Sequence, residues 1–267
     1  NNTCELFVNI IDPIAPGSAG NLNNDGSVRD PISTFNGEFY NQFDADLDLG
    51  GPMGLSFSRY YGSMMSADGI SNGVLGDNWR HNFEWSLNKS DTTATIISSN
   101  GARIEFAFSN GAWNQTSSAS KKYQFVEDSG TGALALLDVK EQRFYVFNAD
   151  GLLTSVLDGR GNQHGLSYNG SNQLTQVTDG VGRTLTFSYT GNKLSTVSDG
   201  TRTVSFSYTA NNLTSSSSAL GHTTTYAYAA GGLMTSSTRP AGNTIVSQVY
   251  DSSGKVTSQD DGESNTT

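Results

Sequence analysis

The residues able to do chemistry in this sequence are few and scattered. Its three histidines, His81, His164 and His222, lie far apart, and none has a second metal-ligand residue two or four positions after it. No Gly-x-Ser-x-Gly elbow, Walker loop, dinucleotide fingerprint or HExxH segment occurs. Aspartates do recur, as Asp158, Asp179, Asp199 and Asp261, each followed by glycine. Paired carboxylates can run acid/base hydrolysis, but an Asp-Gly pair is first a turn, in which the carboxylate accepts its own backbone N–H groups. The chain therefore reads as non-enzymatic.

One segment carries a metal-type signature. Asn21, Asn23 and Asp25 stand at positions 1, 3 and 5 of an oxygen-rich loop with Gly26 at position 6. That is the opening of a calcium loop, yet position 12, where a bidentate acid belongs, is Ile32. A plain Asn/Gly linker is the stronger reading, and no other cofactor is expected. Trp79, Trp85 and Trp113, with the tyrosines, suggest a second class of function. Such rings stack on sugar faces in glycan-binding proteins, although aromatics at strand spacing more often form a core.

Composition narrows the partners. A formal charge of −10 argues against nucleic acid and anionic membranes, which both require basic surface. No run of about 18 apolar residues is present to span a bilayer. The sequence opens at Asn1 without Met or a signal-like stretch, as expected of a mature product or a fragment. Cys4 is the single cysteine, so no intrachain disulfide framework is expected.

The elements that would hold these residues are strands, and from Phe147 they repeat. The unit runs Phe147 to Tyr168, then to Tyr189, Tyr208, Tyr228 and Tyr250, recurring every 19–22 residues. A sixth copy opens at Tyr250 and stops soon after Asp261-Gly262. In the second half of each unit apolar residues alternate with hydroxyl residues. Leu185, Phe187 and Tyr189 oppose Thr184, Thr186 and Ser188; Val204, Phe206 and Tyr208 oppose Thr203, Ser205 and Ser207; Thr224, Tyr226 and Tyr228 continue the series. Period two predicts strands with one buried face. Asp-Gly pairs and the Gly/Asn-rich joints after each tyrosine supply the turns. His164 and His222 follow such turns and are expected on the strand surface.

A hairpin cannot bury its apolar face alone, so the units must stack edge to edge. Residues 30–146 are strand-rich without a period. Phe39, Phe43 and Leu47 are candidate core residues, Leu55 to Tyr61 alternates as one strand, and Thr95 to Phe108 forms a hairpin around Asn100-Gly101. Gln142 to Phe147 reads as a further strand, and Ser63 to Gly69 holds at most a turn or two. Leu6 to Ile11 is a strand candidate on the Asp12–Gly26 connection. The division expected is 1–29 strand and linker, 30–146 irregular β module and 147–267 repeats.

The unit Tyr-Asn/Thr-Gly … Leu-Thr-x-Val-x-Asp-Gly-x-Gly-Arg-x-x-x-Phe-x-Tyr resembles the YD repeat of the RHS family. Such repeats build the β-shells of bacterial polymorphic toxins, the Tc-toxin cocoon and the teneurin ectodomain. Asp30-Pro31, Gly37-Glu38-Phe39-Tyr40, Asp46-Leu47, Gly51-Pro52, Leu55, Arg59-Tyr60-Tyr61 and Leu75-Gly76-x-x-Trp79-x-x-Asn82 resemble the module that opens many of these proteins. The resemblance implies an all-β chain, one continuous curled sheet of antiparallel hairpins with an irregular N-terminal β module. It makes Tyr168, Tyr189, Tyr208, Tyr228, Tyr250, Phe187 and Phe206, with Asp158, Asp179 and Asp199, the structural repeat residues.

It further implies part of a secreted or cell-surface shell, bacterial in kind, that encapsulates or displays cargo such as a toxin domain. The family's autoprotease motif, Asp-Pro-x-Gly, is missing, since Asp12-Pro13 and Asp30-Pro31 continue differently, so self-cleavage is not expected. The alternative is an extracellular adhesion or carbohydrate-binding module assembling by β-strand addition. The expected partners are the rest of the parent shell or a neighbouring subunit, met through a sheet edge left open beyond the sixth repeat. Leu6 to Ile11 is the strand expected to pair there.

Overall fold

The structure is a computed structural model that describes residues 27–28, 32–33, 36–70, 73–117, 122–128 and 130–261. Strands β1 (Ser27–Val28) and β2 (Ile32–Ser33) pair first. Next come β3 (Tyr40–Gln42), β4 (Leu47–Asp48), β5 (Ser56–Phe57), β6 (Arg59–Gly62) and β7 (Trp79–His81), in small sheets ordered β3-β6-β7 and β4-β5. A meander follows from β8 (Ser86–Lys89) through β9 (Thr93–Ile97) and β10 (Arg103–Ser109) to β11 (Ala112–Gln115).

The remaining chain forms one antiparallel sheet of fourteen strands in sequence order. It starts with β12 (Tyr123–Glu127), β13 (Leu134–Asp138), β14 (Arg143–Phe147) and β15 (Leu153–Leu157). It continues through β16 (Gln163–Tyr168), β17 (Leu174–Thr178), β18 (Thr184–Thr190), β19 (Lys193–Ser198) and β20 (Thr203–Thr209). It ends with β21 (Asn212–Ser217), β22 (Thr223–Ala229), β23 (Leu233–Thr238), β24 (Thr244–Tyr250) and β25 (Val256–Asp261). A twisted open sheet of this width must curl. This is the all-β curled sheet with an irregular N-terminal module that the repeats imply. The sheet extends back to β12, so its first strands lack the repeat signature.

Alternation sets one face of the repeats inward. Leu185, Phe187, Val204, Phe206 and Tyr226 are buried, whereas Thr186, Ser188, Ser205 and Ser207 are exposed. Tyr168, Tyr189, Tyr208, Tyr228 and Tyr250 pack on the same core while half-buried. In the first strand of each unit the spacing changes from two to three, as in Leu174 with Val177 and Leu194 with Val197. A β-bulge causes this. Tyr189 pairs with Leu194 while Ser188 pairs with Thr196, leaving Ser195 as the extra residue, and the same slip occurs beside Tyr168, Tyr208, Tyr228 and Tyr250. The extra residue is a serine or threonine. In β17, β19, β21 and β25 its hydroxyl donates to the strand facing it, for example Thr175 Oγ1 to the Ser167 carbonyl at 3.0 Å and Ser195 Oγ to the Ser188 carbonyl at 2.9 Å.

Two expectations need correction. Leu55 to Tyr61 is not one alternating strand. It breaks at Ser58, whose N–H donates to Asn82 Oδ1 at 3.1 Å, and Arg59–Gly62 is buried on both sides because β6 lies between β3 and β7 within the core. His164 is not a surface residue, nor is it equivalent to His222. It lies four residues before its repeat tyrosine, where Leu185 and Val204 face inward, so it is buried; His222 lies six before Tyr228, at the turn, and is exposed.

Phe187→Ala and Phe206→Ala should each lower unfolding free energy by about 3 kcal/mol in urea titrations. Losses below about 0.5 kcal/mol at both would show that this face is not a core.

Candidate functional site

Within each unit the hairpin separates toward its tyrosine. β17 and β18 pair only over Gln176–Thr178 with Thr184–Thr186, and β19 with β20 and β21 with β22 stop after the same three pairs. Beyond them the tyrosine hydroxyl bridges the gap. Tyr168 donates to the Leu153 carbonyl at 2.7 Å, Tyr189 to Leu174 at 2.8 Å, Tyr208 to Leu194 at 2.6 Å, Tyr228 to Leu213 at 2.6 Å and Tyr250 to Met234 at 2.8 Å. Desolvation raises the pKa of all five phenols, so they remain donors.

The N–H groups at this position also need acceptors, and for three of them the N-terminal module supplies one. Leu194 N–H donates to the Val74 carbonyl at 3.0 Å, Met234 N–H to Tyr61 Oη at 2.7 Å and Val256 N–H to the Gly37 carbonyl at 2.9 Å. The module also donates: Tyr61 Oη to the Gly232 carbonyl at 2.8 Å, Asp77 N–H to Asn211 at 2.9 Å and Leu87 N–H to Gly151 at 2.9 Å. Asn78 Nδ2 reaches the Gly231 and Gly232 carbonyls, and Trp79 Nε1 donates to Tyr228 Oη at 2.9 Å. At Gly76 and Gly151 the backbones approach so closely that a Cβ would meet the Asn211 and Leu87 carbonyls, and both glycines have positive φ.

Arg59 sits at the centre. Its Nε and Nη2 bind the Asp46 carboxylate at 2.6 and 2.9 Å, and Nη1 donates to Tyr226 Oη at 3.0 Å. Its guanidinium lies within 5.1–5.9 Å of the ring centroids of Phe43, Trp79, Phe206 and Tyr226. Burial pushes its pKa down, but Tyr226 and Asp46 more than reverse that, so the group stays charged. Rings complete the contact: Phe57 lies 5.8 Å from both Phe187 and Phe206, and Trp79 lies 5.1 Å from Tyr226. This surface joins two parts of the chain through buried, paired polar groups.

A family profile described as Teneurin YD-shell matches residues 131–266. The chain belongs to the RHS/YD-repeat family. A second profile, described as a domain of unknown function, DUF6531, matches residues 29–106. Among solved structures, one titled "Crystal Structure of TcdB2-TccC3-TEV" matches with 12% identity and a TM-score of 0.34. That match covers 79% of this chain and 14% of the other, so the chain spans a small part of the matched protein. No curated protein sequence matches.

In this RHS/YD-repeat chain the turn aspartates bind their own loops. Asp158 Oδ1 accepts the N–H groups of Arg160 and Asn162, Asp179 those of Val181 and Arg183, and Asp199 those of Thr201 and Arg202. These bonds lower the carboxyl pKa: at Asp158 the Asn162 side chain contributes most, at Asp199 the Arg202 N–H. At Asp179 burial raises the pKa, but Arg183 and the Val181 N–H together outweigh it. Two of these turns do more. Arg183, held to Asp179 at 2.5 Å, donates to the Leu49 and Gly50 carbonyls, and Arg202, held to Asp199, donates to the Asp48 backbone carbonyl at 2.9 Å. These docking arginines were absent from the sequence expectation. Their signal was an arginine closing two successive Asp-Gly loops.

The three tryptophans separate. Trp79 is fully buried at the junction, Trp85 stacks on Tyr145 at 4.0 Å, and Trp113 is half-buried beside exposed Phe108. Asn21, Asn23, Asp25, Cys4 and Leu6 to Ile11 lie outside the described residues. Among the described residues no three His, Cys, Asp or Glu side chains gather at metal-binding distance, and no helix is long and apolar enough to cross a membrane.

Tyr61→Phe leaves Met234 N–H without its acceptor and takes from the Gly232 carbonyl one of its two donors, Asn78 Nδ2 remaining, and should cost about 1–3 kcal/mol. Arg59→Leu strands Asp46 and should cost about 3–5 kcal/mol, with Asp46→Asn added to it restoring part of the loss. Chemical denaturation of the single and double variants checks both.

Proposed function

We propose that this chain is a structural, non-enzymatic part of a secreted or cell-surface RHS/YD-repeat shell of bacterial kind that encloses or displays cargo such as a toxin domain. Within residues 30–146 the strands up to β11 serve as the module that closes one end, and β12 onward, with 147–267, as the wall, continued by the rest of the parent shell or by a neighbouring subunit. The observation that carries the reading is the reach of the module. Its backbone and side chains bind the repeat sheet from Gly151 through Leu194 and Met234 to Val256. An element bonded to so many units fixes the curvature of the sheet, as the end of a container must. The acidic charge agrees with a role apart from nucleic acid and anionic membranes.

The second reading, an extracellular adhesion or carbohydrate-binding module, rests on Phe108 and Trp113. Their rings lie 5.2 Å apart, with Phe108 43% exposed and Lys89 Nζ 5.5 Å from the indole centroid. Binding on a glycan array that Trp113→Ala abolishes would favour it. For the shell, the test is protease protection in the parent protein. Sequence enclosed by the repeats should resist cleavage in the wild type and become cleavable when Tyr61→Phe and Arg59→Leu together unseat the module. Equal cleavage in both would overturn the proposal.

A further inference from the structure

Two imidazoles are buried where the module meets the repeats. His81 is 2% exposed and His164 5%, and their rings lie 6.3 and 6.2 Å from Phe83, one on the module and one on the sheet. His164 departs from its own repeat series. The residues four before the later repeat tyrosines are Leu185, Val204, Thr224 and Val246, none of which ionises. Its Nε2 is buried without a hydrogen-bond partner among the described residues. His81 is held as a neutral ring, because Nδ1 accepts the Phe83 N–H at 3.2 Å and so carries no proton. Protonating it would turn that acceptor into a donor facing a donor.

At His164 the surrounding charges disfavour a further cation, whereas at His81 burial does so against the nearby Glu84. Facing His164 are Arg143 from β14, with Asp179 and Arg183 from the loop after β17; the module adds Phe83 and the Pro52–Leu55 loop, which carries no charge. Around His81 are Glu84, whose Oε2 is 4.0 Å from Nε2, buried Arg80, and Arg59, the register partner of His81, already bound to Asp46. Phe57 and Phe187 close the remaining sides. At His164 two guanidinium groups, Arg143 and Arg183, thus face the single carboxylate of Asp179, while at His81 Glu84 offsets Arg80 and the cost of charging comes from burial.

We propose that this junction is an acid-sensitive latch, closed at neutral pH and loosened when His81 and His164 take up protons. The sign follows from burial, which lowers both imidazole pKa values below 6.5; Arg143 adds to this at His164, and Glu84 opposes it in part at His81. The module-bound state is fully stable above the ordinary histidine value and loses stability as pH falls through it, because the released state then binds more protons. Each imidazole changes the open-to-closed ratio by up to about tenfold per pH unit, so the pair supplies a steep response. The latch concerns the junction itself and holds whether or not the shell encloses cargo.

Trp79, fully buried at the junction, is the reporter, read in full chain carrying Trp85→Phe and Trp113→Phe. Its emission should shift to the red as pH falls from 7.5 to 5. Adding His164→Leu, the choice of the next repeat, with His81→Asn, which retains an acceptor, should remove most of that shift. Carboxylates titrate alike in both proteins, so only the difference counts. Parallel curves, or no shift with the histidines intact, would overturn the latch. Should the double variant lack the circular dichroism of the parent at pH 7.5, His164→Leu alone decides: it must lower the pH of the midpoint, and an unchanged midpoint refutes the proposal.

Discussion

Each repeat hairpin leaves one residue, the leucine or its equivalent, with both backbone groups turned toward a gap in its ladder. Buried N–H and C=O groups must be paired, and the structure depends on how these are paired. The tyrosine hydroxyl of the same unit takes the carbonyl, a local solution that can be repeated along the chain. In three units the N–H is partnered from outside the unit altogether. Leu194, Met234 and Val256 find theirs in Val74, Tyr61 and Gly37, far away in sequence. The sheet is thus incomplete by construction, and the module that covers its apolar face also completes its hydrogen bonding.

That division explains why the bulge hydroxyl matters. The slip beside each tyrosine places an extra residue in the partner strand, opposite a carbonyl of the tyrosine strand. Threonine or serine there donates its hydroxyl to that carbonyl from the outer side, while the leucine before it stays buried. One inserted residue therefore converts a period of two into a spacing of three without exposing the core.

Much of this was legible in the sequence, and the remainder was hidden for definite reasons. Repeating tyrosines and alternating Leu185, Phe187 and Tyr189 declare strand, face and stacking, because those follow from local periodicity. The bulge was equally local, and its sign was present in the Leu-Thr or Leu-Ser pairs with the next apolar residue three on from the leucine; alternation in the other half-unit concealed it. His164 was misjudged because position was counted from the turn, whereas the tyrosine fixes which face a residue occupies. Arg183 and Arg202, and the targets of Tyr61, Asn78 and Trp79, were beyond reach. Their partners lie more than 130 residues away, and no period of the chain encodes contacts across that separation.

The inner face shows that the units are not interchangeable despite their common plan. At the position that follows the leucine by three, Val156, Val177 and Val197 give way to Ser216 and Ser237. Over the earlier units the module lays Phe57 and Phe83, which hydrocarbon complements. Further along it brings the Arg59 guanidinium, and a valine there would offer it nothing. Ser216 instead meets Tyr226 Oη at 3.0 Å, and Tyr226 meets Arg59 at the same distance, so the hydroxyl pair extends the charge's hydrogen bonding into the sheet. The serine is therefore the residue this unit needs, since a buried cation is tolerated only with its donors occupied. At Ser216 the divergence of the repeats thus follows the chemistry of the module lying over it, whereas Ser237 Oγ is buried without a partner among the described residues.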